Sequence, residues 1–358
     1  MWTSDHAAHL AELPVEALAT DPTPASWHGP LVAMGTHCRD GAWVVSGPQS
    51  VAAALDSWAL SVVPATRPEL RGPAGPAADL MARMARFCDG AEHKRRRDLV
   101  MRLLPPVAEV TRIAEMRARD YLRGCTAPFD IMPLARSMPG EVLARALGLE
   151  AREADRAAAL TGVLCDALAP SRLPREGTRP SPDAAAAALG TLTASLGSRD
   201  PEQLTAVISI LFQARDATAA LIGGAMLRCA SPAPISAPGQ PGQPAYPGQG
   251  VEHALRNDAP VQCTRRTATA DVQIGDAVIP AGAPVWIFLA TAEVGTGMPA
   301  TFGAGPHGCP GAAHASAIAG QVVTVLRDDG WRPVTGQRVE YEPRPNIRMP
   351  VRVLVTRP

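Results

Sequence analysis

A mainly α-helical fold with small β-sheets is predicted by three observations on the 358 residues. Hydrophobic residues make up 46% of the chain but aromatic ones only 4%, so Ala, Leu and Val must fill the core. Those side chains suit close-packed helices better than a large β-sandwich. The apolar positions recur at helical spacing through most of the chain, and strand-like runs are few and short. Finally, the 36 Pro and 31 Gly are concentrated in short segments, which marks irregular connections within a folded chain and not general disorder.

In chain order, Ala42, Trp43, Val44, Val45 and Ser46 read as a strand, and Gly47-Pro48 turns the chain into a helix over 50–60. A helix over 76–87 opens on a proline, where the missing N–H costs nothing, and 92–104 resumes it until Pro105-Pro106 stops it. Further helices are expected over 107–123, 139–149, 152–168 and 182–196, with a Pro/Arg loop over 169–182. Segment 201–229 is apolar on several faces and reads as a buried helix, too polar at Gln213 to Asp216 to span a membrane. Repeated Pro-Gly-Gln makes 231–250 a loop. A short helix over 251–257 follows. Strands 272–274 and 277–279 bracket a turn at Gly275-Asp276, 285–290 is a buried strand, 312–327 a last amphipathic helix and 351–355 a closing strand.

With 34 basic and 34 acidic residues the formal net charge is zero, so no global field draws the chain to nucleic acid or an anionic membrane. Seven cysteines without a Cys-x-x-Cys pair form neither a disulfide framework nor a zinc ribbon. The first residues carry acids and histidines where a signal peptide needs a basic start and an apolar run, so a cytoplasmic location is expected.

The strongest chemical signal is Phe302-Gly303-Ala304-Gly305-Pro306-His307-Gly308-Cys309-Pro310-Gly311. Its glycines let the backbone turn tightly and pass close to a flat, bulky ligand, and the start of a helix beside Cys309 favours a thiolate. A thiolate held there suits the axial ligand of a haem iron. Elsewhere, His93 and Arg97 lie one helical turn apart within Glu92-His93-Lys94-Arg95-Arg96-Arg97, so both could donate to one anionic group. By themselves they equally suit a solvated basic helix face, and the exposed part of the run could also dock an acidic redox partner.

The loop resembles the haem-binding loop of the cytochrome P450 family, Phe-Gly-x-Gly-x-His-x-Cys-x-Gly, at every specified position. The resemblance extends over most of the chain from about residue 82, and is weak before that. It implies a single domain of that fold over 1–358, a haem b cofactor with Cys309 as iron ligand, and a loop in which Phe302, Gly303, His307 and Gly311 frame the macrocycle. His93 and Arg97 resemble the family's propionate-holding His and Arg, Arg266 in Val261 to Ala268 resembles its strand arginine, and Val278-Ile279-Pro280-Ala281-Gly282 is similar to its Ile-Pro-Ala-Gly turn.

Three departures stand beside these matches. The family's central helix presents an acid followed by Thr for proton delivery; here the run is Asp216-Ala217-Thr218, with the hydroxyl one residue late and rotated by about 100°. The family's Glu-x-x-Arg helix has His253 three residues before Arg256, although Glu252 is four before and within helical reach. The meander between Leu289 and Phe302 is short, and a Pro/Gly loop replaces a helix ahead of Val251.

The resemblance thus implies a bacterial haem-thiolate oxidoreductase of monooxygenase type acting on a specialised metabolite, supplied by a ferredoxin-type partner. Ala217 points to peroxide use, substrate-assisted proton delivery or redox-neutral chemistry. The competing expectation is a catalytically relaxed auxiliary protein that binds and activates a partner enzyme such as a glycosyltransferase.

Overall fold

The computed structural model describes residues 25–39, 41–63, 75–168, 180–197, 199–229, 249–294, 297–342, 344 and 346–357. Helices dominate. The N-terminal portion holds α1 (Ala25–Met34), β1 (His37–Arg39), β2 (Ala42–Val45), α2 (Pro48–Asp56) and β3 (Leu60–Ser61). A helical bundle follows: α3 (Pro76–Ala82), α4 (Gly90–Leu103), α5 (Val107–Leu122), α6 (Met132–Ala146), α7 (Ala151–Leu168), α8 (Pro182–Ser195) and α9 (Pro201–Arg228), with β4 (Phe129–Asp130) before α6. After α10 (Gln249–Asn257) come β5 (Thr264–Ala268), β6 (Val272–Ile274), β7 (Ala277–Ile279), β8 (Pro284–Ile287), β9 (Glu293–Val294) and β10 (Met298–Pro299). The chain ends with α11 (Ala312–Asp328), β11 (Arg332–Pro333) and β12 (Leu354–Thr356).

The helix starts follow from local chemistry. Asp200 caps α9 by accepting from the Glu202 and Gln203 amides, both at 3.0 Å, with Pro201 in the first turn. Ser181 does the same for α8 through the Ala184 amide at 3.1 Å. Along α9, residues 206–211 and 218–226 are buried and 212–217 are half-buried. The central turn of this helix therefore faces open space while both ends are packed. By length and composition α9 could cross a membrane, contrary to the expectation that Gln213 to Asp216 make it too polar, but its most apolar window is 67% buried within the fold.

Helix α9 packs against α6, α7, α10 and α11, and α11 lies on α5. Their facing side chains, among them Met138, Leu143, Leu211, Ile222 and Val322, form the main core together with Trp331, just beyond the end of α11. A smaller core lies under a five-stranded sheet of order β1-β2-β8-β5-β3 and is closed by Val51, Ala54 and Leu55 of α2. In that sheet β2 and β8 are parallel, and Arg266 of β5 sits opposite Val285 of β8.

Several boundaries differ from the sequence reading. Helix α2 starts at Pro48 and ends at Asp56, because Leu60 is drawn into β3 opposite Ala268. The helix expected over 76–87 breaks after Ala82 and ends in a tight turn, Ala85–Phe87. Helix α6 begins seven residues before Pro139, which lies inside it and buried. The strand expected over 285–290 gives way to a 3-10 turn at Leu289–Thr291, and the closing strand is shifted to Leu354–Thr356. Most of the loops expected over 169–182 and 231–250 lies outside the described residues.

Candidate haem-thiolate site

The glycine-rich loop leaves β10 through a 3-10 turn, Ala300–Phe302, and runs into α11. Two positive backbone torsions shape it, φ +68° at Gly303 and +62° at Gly305, where side chains are disfavoured. A Cβ at Gly305 would also lie 2.8 Å from the Leu55 carbonyl oxygen of α2. Cys309 is fixed by its own amide, which donates to the Phe302 carbonyl at 2.8 Å. Its side chain is exposed to a cavity of about 400 Å³.

Burial pushes the Cys309 thiol pKa up, opposed by the Gly311 amide and by the charges of Arg97 and Arg86. The thiolate preference expected from the helix start is thus outweighed by desolvation in the protein alone; a coordinated metal ion removes such a proton outright.

The cavity gathers most of the residues singled out from sequence. His93, Arg97, Arg266, Phe302, Gly303, His307 and Cys309 line it together, and a Cβ on Gly311 would lie 4.0 Å from the Cys309 sulfur. His93 is 4% exposed, with Nδ1 2.9 Å from the Ala85 carbonyl and Nε2 2.9 Å from that of Pro306. Carbonyls only accept, so both contacts are made in full only by a ring carrying two N–H groups. Arg97 donates to the Gly308 carbonyl at 2.6 Å, and Arg266 to Thr264 Oγ1 at 3.0 Å. His307 donates through Nε2 to Asp89 at 3.0 Å. Its pKa is pushed down to about 4, by burial first and then by His93 and Arg266, against the pull of Asp89, so the ring is neutral at pH 7. The same Asp89 accepts from Ser61 Oγ at 2.6 Å, tying strand β3, the start of α4 and the loop to one carboxylate.

On the α9 side, Asp216 and Ala217 line the cavity, whereas Thr218 is 1% exposed and does not. Asp216 is held by two guanidiniums: Arg344 on one oxygen and Arg215, at 3.0 Å, on the other. Arg215 also reaches Asp166 at 3.0 Å, and Arg344 reaches Glu342 at 2.8 Å. Burial works against the Arg344 charge, but Asp216 and Glu342 outweigh it and raise its pKa. The expected acid is therefore a clamped member of an ion network. Sequence reading missed Arg344, which has no pattern around it, and Arg86, which also lines the cavity. An arginine in the otherwise apolar end of the 76–87 stretch was the available signal for Arg86.

The two departures further along are remodelled. Arg256 reaches Glu252 at 3.3 Å across one helical turn, the Gly297 carbonyl at 3.2 Å, and the Glu293 carboxylate of the β9–β10 hairpin. The short meander is that hairpin. The basic run of α4 is partly spent within the chain: Arg95 pairs with Glu92 and Glu202, and Arg96 with Glu92 at 2.6 Å. Among the described residues Lys94 is exposed without an ion pair.

No family model matches the sequence, and no curated protein matches it. Solved structures do match in shape. Epothilone B-bound cytochrome P450epoK is 20% identical, with a TM-score of 0.77 and coverage of 97% of this chain and 99% of that one. CalO2 is 20% identical, TM-score 0.76, covering 93% and 95%. CYP109Q5 from Chondromyces apiculatus is 23% identical, TM-score 0.71, covering 97% of both chains. Likeness along nearly the whole length, with the loop at Cys309 facing the central turn of α9 across one cavity, means that this chain has the cytochrome P450 fold.

Proposed function

We propose that the protein is a haem-thiolate oxidoreductase acting on a small molecule of specialised metabolism. The observation that carries this reading is the convergence of Cys309, His93, Arg97, Arg266 and His307 on one cavity. This donor set fits an iron porphyrin: one soft ligand for iron, cations and N–H donors for two carboxylates, and apolar walls from Phe302, Leu289, Val261 and Ala217. When bound, the haem supplies the redox chemistry. Cys309 would hold the metal, His93, Arg97, Arg266 and His307 the propionates, and Phe302, Gly303 and Gly311 would keep the backbone close and flat around the sulfur. The face formed by Phe212, Gln213 and Ala217 would meet the substrate.

Proton delivery is where this chain departs from the ordinary pattern. Ala217 offers no hydroxyl, Thr218 is packed away, and the Asp216 carboxylate is clamped. This supports peroxide-driven, substrate-assisted or redox-neutral chemistry. One similar structure holds epothilone B and another an acyl carrier protein bearing hexadec-9Z-enoic acid, so a substrate of either kind suits the fold. An electron-donor protein of ferredoxin type would have to read Lys94 and its surroundings, since Arg95 and Arg96 are already paired. The auxiliary-protein reading draws on the same clamped Asp216 and on Ala217; the propionate donors and Cys309, which such a protein does not need, weigh against it.

The test is an absorbance spectrum of the purified protein, reduced under carbon monoxide. We expect the red-shifted band of a thiolate-ligated haem and its loss in Cys309→Ala. Haem-free protein, or an unchanged band in the variant, would sink the proposal.

A further inference from the structure

The side of the cavity formed by α9 and the segment around Arg344 carries polar groups that the propionate donors do not use. Gln213, Asp216 and Ala217 all line it, as their spacing of three and four residues along one helix face requires. Gln213 Nε2 lies 3.3 Å from the Ser209 carbonyl and 2.5 Å from Ser209 Oγ, one turn back. A carbonyl only accepts, so the amide nitrogen must be the atom turned towards it. Gln213 Oε1 is left as an acceptor with no protein partner among the described residues.

The charges on this side are already balanced. Asp166, Asp216 and Glu342 are matched by Arg215, Arg344 and Arg136, so the network holds no surplus cation for an anionic ligand. Arg344 nevertheless spends only Nη1 and Nε on those acids, and its Nη2 has no partner among the described residues. Two residues on, Asn346 lines the same cavity with a carboxamide that is likewise unpaired among the described residues. Its backbone is fixed: the Asn346 carbonyl accepts from the Gln262 amide at 2.9 Å, and Ile347 bridges Val261. One held acceptor and two held donors thus open on a cavity that Phe212, Leu168 and Ile347 wall with apolar surface.

A group that answers all of them is neutral and carries an N–H beside a C=O, which a planar secondary amide does on opposite edges. We propose that the α9 side of the cavity takes its substrate by a neutral secondary amide, whose N–H donates to Gln213 Oε1 and whose carbonyl accepts from Arg344 and Asn346. The inference rests on the haem-thiolate reading above, which leaves this side of the cavity to the substrate. The test titrates haem-loaded full-length parent, Gln213→Met and Asn346→Leu with N-methyldecanamide, N,N-dimethyldecanamide and decanoate, read by calorimetry.

The parent should bind the N-methyl amide roughly fivefold to tenfold more tightly than the dimethyl amide, which lacks the N–H, and decanoate most weakly. Gln213→Met keeps the length of the side chain and should abolish the preference between the two amides. Asn346→Leu should weaken both amides severalfold and keep that preference, a pattern that general loosening of the pocket would not produce. If either variant fails to fold, the ranking of the three probes by the parent still decides. Tightest binding of decanoate, equal binding of the two amides by the parent, or an undiminished preference in Gln213→Met overturns the inference while the haem reading stands. A parent that takes up no haemin overturns the haem-thiolate reading, and this inference with it.

Discussion

Ala217 and Thr218 differ by one step along a helix, and that step decides which of them meets the cavity. Ala217 turns a methyl to it, while Thr218 is packed at 1% exposure. Replacing Ala217 by Thr places a hydroxyl on the exposed side without changing the packed one. In a monooxygenation we expect Ala217→Thr to raise the product formed per electron consumed; a peroxide-driven or redox-neutral reaction should be unchanged or slower. Tight coupling in the parent that is lost only in Thr218→Ala would overturn this reading of the helix. The loop residues were legible in the sequence because their chemistry depends on neighbours along the chain. The clamp on Asp216 was not, because Arg344 lies 128 residues away and only the fold brings it near.

Helix α10 shows how an altered motif can keep its mechanical task. Arg256 joins the helix to the β9–β10 hairpin through Glu252, Glu293 and the Gly297 carbonyl. Both acids are about half exposed, so each pair contributes little by itself. Arg256→Ala is expected to cost about 1–2 kcal/mol in chemical denaturation, and Glu293→Gln about half a kcal/mol. An effect of Glu293→Gln as large as that of Arg256→Ala would mean that the hairpin carboxylate is the dominant tie. Helical periodicity located α5, α7, α8 and α11 to within a residue or two. It failed at α6, where Pro139 was taken as a start and instead lies inside the helix, packed among buried neighbours. Packing overrode a local signal there.

Across the whole molecule, a buried ion cluster fastens the chain's C-terminal segment to the approach to β5. Asp258 holds Arg348 on one oxygen and Arg228, at 3.0 Å, on the other, and the Asp258 and Arg348 side chains are 2% and 1% exposed. Backbone bonds continue the seam, from Arg348 N to Pro260 O and from Gln262 N to Asn346 O, both 2.9 Å. Asp258→Asn leaves a buried guanidinium without its anion. It is expected to lower unfolding free energy by about 3–5 kcal/mol, read as a drop in the urea midpoint at unchanged slope. A shift below about 1 kcal/mol would show that water or another acid replaces the aspartate. Arg266 follows four residues after Gln262 on the same stretch, so the placement of a cavity cation depends on a seam that no motif announces.

Gly305 rests on the backbone of Leu55 and Asp56, with no room for a Cβ between them. The loop that carries the strongest signature of the site is therefore seated on the part of the chain whose own sequence carries almost none. A fragment starting after residue 60 would retain His93, Arg97, Arg266, His307 and Cys309 and still lack the floor against which the loop takes its bend. Sequence drift in α2 is accordingly constrained in its backbone path more than in its side chains, since what the loop touches is a carbonyl oxygen and a Cα. Any attempt to move this loop into another scaffold would have to bring that short piece of helix with it.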